Sequence, residues 1–81
     1  MKFELYETAV GTGILDDVIE ELAERLEGWG FYEVENVENI YPLKRWQLVL
    51  RSGTVEQPGD VVYSVTVDVN EQEKTAAVEV E

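Results

Sequence analysis

Residues 60–69 read DVVYSVTVDV, with Val61, Tyr63, Val65, Val67 and Val69 on one side and Val62, Ser64, Thr66 and Asp68 on the other. Period-two alternation over that length is incompatible with an amphipathic helix and predicts a half-buried strand. Such a strand needs partners, because isolated two-stranded pieces are marginal in water. The chain supplies them. Residues 44–51, KRWQLVLR, set Trp46, Leu48 and Leu50 against Arg45, Gln47, Val49 and Arg51. Residues 75–80 turn Ala76, Val78 and Val80 inward. Residues 31–38, FYEVENVE, alternate less regularly, and Asn36-Val37 marks a bulge or an early end. Residues 2–9 set Phe3 and Leu5 against Lys2, Glu4, Tyr6 and Thr8.

Residues 14–27 change period. Leu15, Val18, Ile19, Leu22, Leu26 and Trp29 recur at three- and four-residue steps, the stripe of an amphipathic helix. Gly11-Thr12-Gly13 separates it from the first strand, with Thr12 as N-cap. Asp16 and Asp17 occupy the first turns, where the helix dipole favours negative charge. Gly28 and Gly30 end the helix. The later breaks, Tyr41-Pro42, residues 52–59 with Gln57-Pro58-Gly59, and residues 70–73, are turn-forming.

The expected fold is α+β in the order β-α-β-β-β-β. One amphipathic helix packs on a four- to five-stranded antiparallel sheet, within a single domain spanning residues 1–81. Its core is expected to hold Phe3, Leu5, Leu15, Val18, Leu22, Leu26, Trp29, Val34, Trp46, Leu48, Leu50, Val61, Tyr63, Val65, Val67, Val78 and Val80. The element order is similar to that of cystatin-like and monellin-like folds. The glycine, glutamine-valine and proline-tryptophan contacts that cystatins make on proteases have no clear counterpart here, so the likeness of order implies no function.

Absences narrow the chemistry. The chain has neither Cys nor His. That removes disulfides, thiolate nucleophiles, thiolate-bound zinc and the commonest general base. Ser52 and Ser64 lack a His partner, and neither a phosphate loop nor an EF-hand loop is present. The expectation is a non-enzymatic protein without metal or cofactor. With no apolar run of signal-peptide or membrane-span length, it is expected in the cytosol and off the membrane.

Charge directs the search for a partner. Eighteen acidic residues against six basic ones give a net charge of −12. That balance repels nucleic-acid phosphates, so direct nucleic-acid binding is not expected. Three surfaces stand out. The first is the acidic helix face of Asp16, Asp17, Glu20, Glu21, Glu24 and Glu27, opposed only by Arg25. Carboxylates along a helix can imitate a row of phosphates; the plainer reading is a solvated face. The second is a basic–aromatic strand, Tyr41, Lys44, Arg45 and Arg51 around Trp46, of hot-spot composition. Its plainer reading pairs Arg45 and Arg51 with Glu33 and Glu35 across the sheet, with Trp46 in the core. The third is an outward sheet face of Tyr6, Phe31, Val49, Val62 and Ala77, suited to self-association.

The resulting expectation is a small acidic protein-interaction module whose partner is another protein with a basic surface. In its sharper form it is an inhibitor that occupies a nucleic-acid-binding surface, in the manner of anti-restriction or anti-CRISPR proteins of phages and plasmids. The alternative is a salt-adapted (halophilic) domain that acts as a homodimer through the outward sheet face.

Overall fold

The structure, a computed structural model, describes residues 1–8 and 13–81. It contains one helix and a five-stranded antiparallel sheet, a small α+β fold. The elements are β1 (Lys2–Tyr6), α1 (Gly13–Arg25), β2 (Phe31–Ile40), β3 (Leu43–Gly53), β4 (Pro58–Asn70) and β5 (Thr75–Val80). In space the strands run β1-β5-β4-β3-β2. The Thr12 cap and the Ala9 end of the first expected strand lie outside the described residues.

Short connections make the last four strands successive neighbours. Each turn has its own chemistry. Asn70 Oδ1 accepts hydrogen bonds from the N–H groups of Gln72 and Glu73, at 3.1 and 3.0 Å, and closes the β4–β5 turn. At the β3–β4 tip Thr54 N–H donates to the Gln57 carbonyl and Gln57 N–H to Thr54 Oγ1, both at 3.1 Å. Strand pairing therefore reaches further into the expected 52–59 loop, with Gly53 opposite Pro58. Gly28 follows the helix at φ +87°, a conformation that disfavours any side chain and turns the chain toward β2. A Cβ at Gly30 would collide with the Gly53 carbonyl, so glycine there lets the entry to β2 lie against β3.

Ile14, Leu15, Val18 and Leu22 of α1 share the core with Trp46, Leu48, Leu50, Val65, Val67, Val69, Ala76, Val78 and Val80. Phe3, Leu5, Ile19, Leu26, Trp29 and Tyr63 pack around it. Two expected core residues, Val34 and Val61, are exposed. A helix is about 10–12 Å across and strands lie about 4.8 Å apart, so one helix covers two or three of five strands. Val34 sits on the uncovered edge strand β2. Length explains Val61: thirteen helical residues span about 20 Å, thirteen strand residues about 44 Å. The β3–β4 tip therefore runs past the helix. Ile14, Val69 and Ala76 complete the core instead.

Candidate protein-interaction surfaces

α1 and β1 frame a groove of about 340 Å³, with Leu5, Tyr6 and Thr8 on one side and Asp17, Glu20, Glu21 and Glu24 on the other. Glu7 joins them, so five carboxylates ring the groove. The helix spacing 17-20-21-24 aligns four of them, because residues three and four apart share a face. Arg25 tempers this charge: its Nε donates to Glu21 Oε1 at 2.8 Å, and its guanidinium lies 4.3 Å from the Phe3 ring centre. Asp16 lies on the helix outside this groove. Glu27 lies beyond the helix end at Arg25, and its carbonyl accepts a hydrogen bond from Tyr63 Oη at 3.2 Å. Glu7 lies outside the helix, directly after β1, so no helical spacing marks it; the packing of β1 beside α1 brings it to the groove.

Tyr6, at this rim, donates to Glu4 Oε2 at 2.5 Å. That hydrogen bond, reinforced by the carboxylate charge, raises the phenol pKa above its ordinary value. The raised folded value means that the contact favours the fold below the unfolded pKa of about 10 and is lost as pH rises through the folded pKa. Ultraviolet titration should place Tyr6 ionisation above that of an unperturbed tyrosine, and Glu4→Gln should bring it down. An unchanged titration in Glu4→Gln would show that the contact does not form in solution.

The basic–aromatic residues divide between the two sheet faces. Lys44 lies on the helix side, its Nζ 4.8 Å from the Trp46 ring centre. Trp46 is buried in the core, and its indole N–H has no hydrogen-bond partner among the described residues. Arg45 lies on the outer side and pairs with Asp68 of β4, Nε to Oδ1 at 2.6 Å, which raises its pKa further. Glu33 and Glu35 are not its partners. The tight β2–β3 turn sets Ile40 opposite Leu43 and so Glu38 opposite Arg45, and across the bulge at Glu35 Glu33 stands opposite Val49. Arg51 stands between Phe31 and Val62. Tyr41 projects from the β2–β3 turn, exposed. Lys44 and Arg45 still line a common cavity with Leu43 and Asp68, whereas Tyr41 and Arg51 lie outside it.

The outward face also divides. Phe31 and Val62 lie in one row on either side of Arg51, and Tyr6 lies on β1, at the far end of the strand order. Val49 was expected at the surface but is only 5% exposed. It stands between Glu33 and Ser64, in the interior of the sheet, where neighbouring side chains close over it. Ala77 stands between Glu4 and Asp68, a polar row.

Among the described residues, no group of carboxylates is arranged to hold a metal ion, and no helix is long and apolar enough to cross a membrane. The chain matches no protein-family model, no curated protein and no solved structure.

Proposed function

We propose that this chain is a small acidic, non-enzymatic interaction module of the cytosol that binds a basic surface of another protein. The observation that carries the reading is the α1–β1 groove ringed by Glu7, Asp17, Glu20, Glu21 and Glu24. Five carboxylates along a groove some helical turns in length suit Lys and Arg side chains spaced like those of a phosphate-binding surface. The sharper form is an inhibitor that occupies a nucleic-acid-binding site.

Replacing Glu20, Glu21 and Glu24 together by Gln tests it. Helix propensity is retained. Relief of the Glu20/Glu24 repulsion offsets loss of the Glu21–Arg25 pair, so stability should stay within about 0.5 kcal/mol. A basic protein retained by the wild-type chain at about 0.1 M salt should be lost from the triple variant, with association slowed more than dissociation is accelerated. Purified, that protein should release DNA when the wild-type chain is added. Equal retention by both forms would overturn the groove as the contact.

A second reading is favoured by the spread of acid: exposed carboxylates also stand on β2, on the β4–β5 turn and on the outer face. A salt-adapted domain that self-associates through Phe31 and Val62 would show this. Its melting temperature should climb between low and molar KCl, and a flat response would overturn it.

A further inference from the structure

β2 forms one rim of the sheet. It pairs with β3 and, among the described residues, with no strand on its other side. At ten residues it is twice as long as β1, the opposite rim. An unpaired edge offers a row of backbone N–H and C=O groups to a further strand.

Two features make this edge selective. On the helix side Tyr32, Val34 and Val37 are 37%, 42% and 41% exposed, whereas their row neighbours Leu50, Leu48 and Trp46 on β3 are 0%, 1% and 6% exposed. The core therefore continues past its cover as an apolar stripe. On the outer side stand Glu33 and Glu38, and the strand contains no basic residue.

We propose that the β2 edge docks an extended segment of another protein by strand addition, in which apolar residues alternate with Lys or Arg. Its apolar residues would extend the stripe of Tyr32, Val34 and Val37, and its basic residues would meet Glu33 and Glu38 across the new pair. Charge decides against a second copy of this chain: antiparallel two-fold pairing about the middle of β2 sets Glu33 against Glu38 twice. A basic alternating segment turns both into opposite-charge pairs. The bulge at Glu35 adds local twist, which resists repetitive edge-to-edge stacking while leaving room for one short segment. The site goes beyond the acidic groove and is independent of it, since the groove lies at the β1 rim.

Three capped synthetic peptides, KVKVKV, its shuffled form KKKVVV and the acidic EVEVEV, test the proposal. KVKVKV should bind about tenfold or more tighter than KKKVVV, because strand addition reads alternation whereas a diffuse acidic surface reads only charge. Its binding should slow amide hydrogen exchange along β2. The double variant Glu33→Lys/Glu38→Lys, changed only at exposed positions, should reverse the preference toward EVEVEV. The Glu20/Glu21/Glu24→Gln variant should bind KVKVKV within about twofold of wild type, so the two sites fail or succeed separately. Equal binding of KVKVKV and KKKVVV, loss of binding in the helix variant, or exchange protection confined to β1 would overturn the proposal. So would β2 protection without peptide together with a concentration-dependent mass, which would assign the edge to a second copy. The exchange measurement on the wild-type chain needs no variant to fold.

Discussion

Leu50→Ala and Leu22→Ala should each lower the unfolding free energy by about 2–5 kcal/mol. Both side chains are fully buried, one from the sheet and one from the helix, and they share one core. Truncation removes apolar burial and leaves a cavity that this two-layer structure can close only by moving the helix toward the sheet. A chain of 81 residues has a total stability of about 4–12 kcal/mol, so either loss is a large fraction of the whole. Val34→Ala provides the comparison, since Val34 is apolar, on the same sheet face, but exposed. It should cost well under about 1 kcal/mol. Urea unfolding measures all three, and comparable losses for Leu50 and Val34 would refute the assignment of β2 as the strand beyond the helix.

Val49→Asp should cost about 3 kcal/mol or more, whereas Val62→Asp should cost less than about 1 kcal/mol. Both valines point away from the helix, and by alternation alone they are equivalent. Val49 lies in a row between Glu33 and Ser64 and is covered, whereas Val62 is exposed. A short aspartate at position 49 cannot extend its carboxylate past the flanking side chains, and Glu33 beside it adds like-charge repulsion. The pair also separates stability from assembly. If Phe31 and Val62 form a self-association surface, Val62→Asp should yield a folded monomer by sedimentation. Equal thermal stability of the two variants would show that Val49 is not covered in solution.

The candidate surfaces became legible to different degrees, for identifiable reasons. Carboxylates at 17, 20, 21 and 24 share a helix face by spacing alone, so most of the groove's acidic wall was readable in advance. Its other wall was not: Leu5, Tyr6 and Glu7 reach it only because β1 lies at the rim of the sheet beside α1. The basic–aromatic strand is split between two faces because adjacent residues on a strand face opposite ways. Lys44 and Arg45 are neighbours in sequence and lie on opposite faces of the sheet. The expected partners of Arg45 are ruled out by the tight β2–β3 turn, which sets Ile40 opposite Leu43 and so Glu38 opposite Arg45.

Periodicity alone determined that this chain has one helical segment among strands and that the strands pair antiparallel, because side-chain spacing and short turns are local properties. It determined which valines and leucines are candidates for burial. Which of those candidates are covered was decided only by the tertiary structure. One helix of thirteen residues has a fixed width and length, and the sheet exceeds both. Val61 and Val34 fall outside its shadow, and the same limit leaves the β2 edge and its apolar stripe open. Pairing of β1 with β5, the two elements farthest apart in the chain, likewise depends on the helix folding back over the sheet, a long-range closure that no local pattern encodes.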